Sequence, residues 1–446
     1  MEQAIRQIIK REGHLVPYDR ARIARAIFRA LLSVDRGDEE LAARLALAVE
    51  TALLKNYGPQ ATPSVEEIQD IVELTLMEYG QTSTARAYII YRNQRAQARA
   101  ARTYAFEVTD NIPYRKIYEV LRWNMDQACH TLAELNARQR AGGMERLIED
   151  CDRRYDAEIR QCAARILERA GETRLVIVAG PSASGKTTTT LKLSEGLRRA
   201  GWQLQSLMID NYFYDLECHP RDEFGDYDYE TPAALDLALI NEHLERLLAG
   251  ATVRTPHYDF KTGKRTLNHT EMRLAPKAFL LLDSLHGLYD GMTHSIPAAQ
   301  KFRIYVETLG QLRGSEGQFL RWADNRLLRR MLRDSWHRNY QPEKTLTHWH
   351  YVRRSELQYI IPFIKTADFI VNTALPYEIP ILKERLAAYF PEALRLYHAD
   401  PSRQDAYIRA KRIYEFLRPL ETLTDSRLVP PDSLLREFIG GSSYGY

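Results

Sequence analysis

The stretch VIVAGPSASGKTTTTLKL, beginning at Val176, constrains this chain more than any other. A β-branched hydrophobic run reads as a strand, and the threonine- and leucine-rich continuation reads as a helix. Between them Gly180, Gly185, Lys186 and Thr187 satisfy the spacing GxxxxGK[ST]. Glycines let backbone N–H groups close around a phosphate, and the helix N-terminus adds its dipole. Lys186 reaches the terminal phosphates and Thr187 can ligate Mg2+, while Ser182, Ser184 and Thr188 complete the candidate ATP contacts. A tight strand-to-helix turn serving structure alone would not call for the Lys-Thr pair.

From this motif onward strands alternate with helical segments. The strand candidates are Leu175–Ala179, Leu204–Ile209, Ala278–Leu282, Phe302–Val306 and Phe369–Val371, separated by enough chain for crossover helices. This predicts an α/β fold with a five-stranded parallel sheet and helices on both faces. Open sheets of this kind put ligands at the carboxyl edge. There LMIDNYFYD places Asp210, a candidate base whose structural alternative is a helix cap, and AFLLLD places Asp283, a candidate Mg2+ carboxylate acting directly or through water. The acidic and aromatic segments GDYDYETPAALD and TPHYDF, with Asp228, Tyr258 and Asp259, suggest a pocket for a hydroxyl-bearing substrate. Downstream, Arg326, Arg330 and Arg333 recur at helical spacing, with Arg338 soon after. Such a face is often solvated or touches RNA; beside a P-loop it suits a helical lid that neutralises a transferring phosphoryl group and excludes water.

At 446 residues the chain exceeds the usual reach of one hydrophobic core, so several domains are expected. The 62 Lys and Arg against 59 Asp and Glu exclude a global pull toward nucleic acid or anionic membrane. With neither a signal-type stretch nor a spanning apolar run, a cytoplasmic location is expected. Cys129, Cys151, Cys162 and Cys218 form no CxxC pair and read as helix-packing residues. Residues 1–100 read as a mostly helical domain: Asp19 caps a helix with Ile23, Ile27 and Leu31 on one face, and Ser64 with Glu67 makes a capping box for another. A third helix covers TSTARAYIIYRNQRAQARAA. Residues 101–172 read as a helical hairpin linker broken at Gly142 and Gly143, residues 173–385 as the P-loop domain, and residues 386–446 as a helical extension.

Taken together, GPSASGKT, IDNYF, YDYETPAALD, PHYDF, RRMLRD and KTADFIVN resemble the P-loop phosphoribulokinase/uridine kinase family over about residues 174–383. DFKTGKR, HGL and SLLREFIGG bring the chain nearest a bacterial uridine kinase-like subgroup. The resemblance implies ATP-dependent phosphorylation of a hydroxyl. It implies Asp210 as general base sharing Mg2+ with Thr187, Asp228 and Tyr258 at the acceptor, and Arg330, Arg333 and Arg338 in the lid. Three positions depart from the family pattern. Asp283 and Ser284 replace a Glu-Gly pair, Lys261, Thr262 and Gly263 stand where a pyrimidine-reading histidine is usual, and Tyr340 replaces a lid arginine. Farther upstream, IKREGHLVPYDRARIARAI and ARAYIIYRNQR resemble the ATP-cone, a regulatory adenine-nucleotide domain. Lys10, Arg11, Arg22, Arg86 and Arg92 match its basic positions near the phosphates, and Glu12 stands for the usual Asp or Asn. The alternative is a helical dimerisation domain with a solvated basic surface.

The expectation is therefore a kinase using ATP and Mg2+ on a small-molecule substrate, a nucleoside first and a sugar phosphate second, with ATP or dATP as effector at the cone. A homo-oligomer without membrane or nucleic-acid partners is expected. A non-catalytic nucleotide sensor and an RNA-binding protein are the other readings.

Overall fold

The computed structural model describes residues 5–9, 15–34, 37–58, 61–92, 111–221, 227–337, 342–398, 400 and 403–445. Contacts divide the chain into two compact units, Met1–Thr109 and Asp110–Tyr446. The first contains an antiparallel pair, β1 (Gln7–Ile9) and β2 (Leu15–Pro17), then α1 (Arg20–Leu32), α2 (Glu39–Tyr57), α3 (Val65–Glu78) and α4, described over 82–92. Helix starts are set locally. Asp19 accepts from the Ala21 N–H, Asp38 from the Leu41 N–H, and Ser64 and Glu67 form the expected capping box. Ile27, Leu31, Leu45, Val49, Leu53, Val72 and Leu76 then meet in one core.

The second unit starts with α5 (Tyr114–Asp126), α6 (Leu132–Arg140) and α7 (Met144–Glu168). The sequence reads as one amphipathic stretch where the structure has α5 and α6. Ala128 adopts a left-handed φ of 46°, and Thr131 and Glu134 open a new helix through a second capping box. There follow β3 (Leu175–Ala179), α8 (Lys186–Arg199), β4 (Gln203–Leu207), α9 (Leu237–Leu248), the hairpin β5 (Val253–Asp259) and β6 (Lys264–Met272), β7 (Ala278–Ser284) and β8 (Lys301–Glu307). The unit ends with α10 (Trp322–His337), α11 (Pro342–Tyr359), β9 (Phe369–Asn372), α12 (Glu378–Leu386), α13 (Tyr389–Tyr397), α14 (Gln404–Leu417) and the short α15 (Arg436–Ile439).

The five expected strands form one parallel sheet in the order β4-β7-β3-β8-β9. The hairpin was not legible beforehand, because β6 is polar and exposed along its length and shows no apolar alternation. Along β3, Val176 and Val178 enter one core while Leu175, Ile177 and Ala179 enter the other, as the strand period of two requires. The first core also takes Leu147, Cys151 and Ile166 of α7, Leu193 of α8, Ile413 and Phe416 of α14 and Phe438 of α15. Helices before and after the sheet thus share its core. Among the described residues no helix is long and apolar enough to cross a membrane.

A polar contact fastens the chain's end to α7. Asp152 Oδ1 accepts from Tyr377 Oη at 2.8 Å and from Ser433 Oγ at 3.1 Å. Burial pushes the Asp152 carboxyl up from 3.8 to about 6 despite these two hydrogen bonds. A carboxyl raised in the folded state stabilises least when ionised, so its cost is absent below its unfolded pKa of 3.8 and complete above about 6. The stability of Asp152→Asn relative to the native chain should therefore rise between pH 4 and pH 8 by up to about 3 kcal/mol. Urea unfolding across that range checks this, and a difference that stays flat with pH would disprove it.

Candidate functional site

The phosphate loop leaves the central strand through positions with no room for side chains. A Cβ on Gly180 would lie 2.2 Å from the Val306 carbonyl oxygen of β8. Ala183 is left-handed at φ 59°, and Gly185, at φ 90°, hands the chain to α8. Non-glycine residues seldom hold such an angle, and strain of this kind gathers at functional loops. Lys186 folds back over the loop and donates from Nζ to the carbonyls of Gly180 at 2.9 Å and Pro181 at 3.3 Å. Burial pushes its ammonium pKa down, opposed by Asp283 and Glu437.

Strand register delivers the next group. Asp283 of β7 stands opposite Val178 of β3, and its Oδ2 accepts from Thr190 Oγ1 at 3.4 Å. Burial raises its carboxyl pKa; Lys186 opposes that shift, and the negative charge of Asp210 adds to it. Asp210, in the turn after β4, is exposed, as is Thr187 at the head of α8. Among the described residues no cluster of three His, Cys, Asp or Glu could cage a metal. Mg2+ needs no such cage, since it keeps waters and takes phosphate oxygens alongside one or two carboxylates. Two mutually repelling carboxylates beside a phosphate loop suit that demand.

Helix α10 has two kinds of arginine. Arg326 is 1% exposed, pairs with Glu307 at 2.8 Å and with both oxygens of Glu356, and donates to the Ser182 carbonyl at 3.2 Å. Arg329 is equally buried, bonded to both oxygens of Glu378 and to the Thr373 carbonyl. These two pin the helix to the core. Arg330 instead reaches Ser182 Oγ at 3.1 Å and Glu230 at 3.4 Å, and Arg333 approaches Glu437 at 3.9 Å. The arginine face read from sequence therefore divides, with Arg326 facing inward and Arg330 and Arg333 facing the loop. Arg338 and Tyr340 lie outside the described residues.

Beside Arg330 opens a cleft of about 860 Å3, lined by Tyr227, Asp228, Tyr229, Glu230, Lys344, Tyr351 and Arg403 among others. Asp228 there accepts from the Glu230 N–H at 2.9 Å and pairs with Arg354 at 3.5 Å. Tyr258 is buried in an aromatic cluster with Phe213, His219 and Phe260, and its hydroxyl faces Tyr229, one of the residues lining that cleft. Asp259 closes the β5–β6 turn, accepting from the Lys261 N–H at 2.8 Å and Thr262 Oγ1 at 3.0 Å.

Two groups at the site carried no role in the sequence reading. His286, just past β7, is buried, and burial pushes its pKa down to about 4, so its ring is neutral near pH 7. Glu437 of α15 accepts from the Thr188 N–H at 3.2 Å and from Thr188 Oγ1 at 2.7 Å. The segment SLLREFIGG was noticeable as a motif, but 249 residues separate Glu437 from the loop it touches.

In the first unit Arg92 is held by Glu66 at 2.8 Å, Asp70 at 2.6 Å and Glu73 at 2.8 Å. Arg22 lies 3.3 Å from Asp19, and Arg86 is exposed on α4. Lys10 and Arg11 lie outside the described residues.

Comparison with known proteins gives two family matches. Residues 6–97 match the ATP cone domain, and residues 175–378 match the phosphoribulokinase/uridine kinase family. A uridine kinase of Deinococcus deserti is 31% identical over 195 residues, covering 44% of this chain and 84% of that protein. A uridine kinase of Halobacterium salinarum is 27% identical over 213 residues, covering 47% and 85%. A solved structure titled as a possible uridine kinase from Bacillus stearothermophilus aligns with TM-score 0.33 and 15% identity, over 48% of this chain and all of that one.

The two kinds of arginine should separate in stability. Arg326→Met takes the arginine from buried Glu307 and leaves buried Glu356 with Arg353 alone, and should destabilise the chain by about 3–5 kcal/mol. Arg330→Met, whose partners are the half-buried Glu230 and the buried Asp334, which keeps a hydrogen bond from Thr345, should cost less, about 1–2 kcal/mol. Equal losses in urea unfolding would refute this division.

Proposed function

From the premise that this chain belongs to the phosphoribulokinase/uridine kinase family and carries an ATP cone ahead of its kinase region, we propose that it transfers the γ-phosphoryl group of ATP to a nucleoside hydroxyl, under control of ATP or dATP at the cone. The observation that carries this reading is the meeting of Lys186, Asp283 and Asp210 at one edge of the sheet. In it, Gly180, Ser182, Ser184, Gly185, Lys186, Thr187 and Thr188 cradle the phosphates. Thr187, Asp210 and Asp283 would hold Mg2+, whose charge offsets that of the phosphates. Asp210 orients the acceptor hydroxyl and takes its proton as the oxygen attacks the γ-phosphorus, while the bond from that phosphorus to the β,γ-bridging oxygen breaks and ADP leaves with the bridging oxygen. Lys186, Arg330, Arg333 and Arg338 stabilise the charge on the transferring group. Asp228, Tyr258 and Asp259 belong to the acceptor side.

A second reading has support of its own. Lys344 and Arg403 line the same cleft as Asp228, a pair of cations suited to an acceptor that already carries a phosphate. ADP release with Mg-ATP across nucleosides and sugar phosphates separates the two. Turnover with nucleosides alone supports the first reading, turnover with sugar phosphates alone supports the second, and turnover with neither would leave a nucleotide sensor.

Control at the cone requires that its nucleotide favour one state of the chain over another, and the coupling is reciprocal in binding free energy. Asp210→Asn should lower turnover by about 10²–10⁴-fold with ATP affinity within a few-fold, and equal turnover would remove Asp210 from the mechanism. Deleting residues 1–109 should leave acceptor-dependent ADP release but abolish its response to dATP; a retained response would move control elsewhere.

A further inference from the structure

Residues 429–443 end the second unit in a packed segment whose position bears directly on the phosphate loop. Leu434 and Leu435 are fully buried, and a Cβ on Gly185 would meet Leu434 Cδ1 at 2.8 Å, so Leu434 sits directly on the loop's last glycine. Three residues later, Glu437 is 4% exposed and places Oε2 on both the N–H and the hydroxyl of Thr188. Those donors lie in the first turn of α8, where backbone N–H groups and the helix dipole hold an anion. A carboxylate already takes them.

We propose that this segment is a built-in competitor of nucleotide: Glu437 occupies phosphate donors of the loop, and ATP enters fully only as Glu437 leaves Thr188. The inference rests on reading the loop as a nucleotide site. Two acceptors cannot share one N–H at full strength, and a carboxylate held against a phosphate repels it in a half-buried site. Arg333, 3.9 Å from Glu437 Oε1, is the cation nearest at hand to take the released carboxylate.

The segment is fastened at several points, which makes its release a cooperative event. Ser433 Oγ bonds Asp152 and Tyr377 Oη, Arg385 donates to the Ile439 carbonyl at 2.7 Å, and Arg436 donates to the Ser426 carbonyl at 2.9 Å. Phe438 lies 4.9 Å under the Arg329 guanidinium, which also bonds Glu378. Movement of Glu437 is therefore linked to α7, α10 and α12, and whatever steadies those contacts weakens ATP binding by reciprocity.

The test follows hydrogen exchange of peptides covering 180–190 and 429–443 in the full-length chain during titration with Mg-ATP, with peptides from residues 15–92 followed alongside so that nucleotide at the cone is recorded by its own midpoint. The expected result is protection of 180–190 accompanied by faster exchange of 429–443. In Glu437→Gln, which keeps the shape and drops the charge, the midpoint for protection should fall about tenfold or more. Glu437→Ala is the second variant, and matching thermal midpoints show that both remain folded. Unchanged exchange of 429–443 at saturation, or a midpoint in Glu437→Gln that stays within twofold or rises, would overturn the proposal. A rise would mean that Glu437 helps hold the nucleotide. If ATP protects 180–190 in neither chain, the nucleotide reading of the loop itself falls, and this inference with it.

Discussion

The close approach of two backbones governs this site. The Val306 carbonyl of β8 stands where any side chain on residue 180 would have to go, so the loop can leave β3 between its two neighbours only at a glycine. Strand β3 is flanked by β7 on one side and β8 on the other, the point in an open parallel sheet where a crevice forms beyond the carboxyl ends. Register then does the rest. Asp283 is set against Val178, and Lys186 turns back over the carbonyls of Gly180 and Pro181. Lys186 and Asp283 are thus held within electrostatic reach of one another on a rigid support.

Buried ions carry this arrangement outward. Arg326 joins the loop to β8 and α11 through Ser182, Glu307 and Glu356, and Arg329 joins α10 to α12 through Glu378. Desolvating such charges is costly, and each pair repays the cost only while both partners remain. The network consequently favours one placement of α10 and disfavours near neighbours. That fixed wall brings Arg330 and Arg333 to the loop without making them part of the core.

In both units, groups suited to an anion are already held by internal acids. In the first, Arg92 is shared among three carboxylates, so an anion approaching it must compete with Glu66, Asp70 and Glu73. In the second, the N–H and hydroxyl of Thr188 both donate to Glu437. Internal acids thus stand beside basic or donor groups in both family-matched regions.

The sequence by itself determined the parts whose physics is local. The phosphate turn needs glycines and a lysine at fixed spacing, the strands of the sheet are short apolar runs, and Asp19, Ser64 and Glu67 cap helices within three residues of themselves. For that reason the five strands, their parallel class and Asp283 at the sheet edge could be read in advance. Two misreadings mark the limit: the polar strand β6 has no alternation to betray it, and Ala128 breaks a helix without glycine or proline. Only the tertiary structure decided which arginines of α10 face inward, that Asp259 is used to close a turn, and that the chain's last helix lies on its phosphate loop. Spacing along the chain specifies neighbours within a turn or a strand. The partner of a buried charge is chosen by packing across hundreds of residues, where no local period records it.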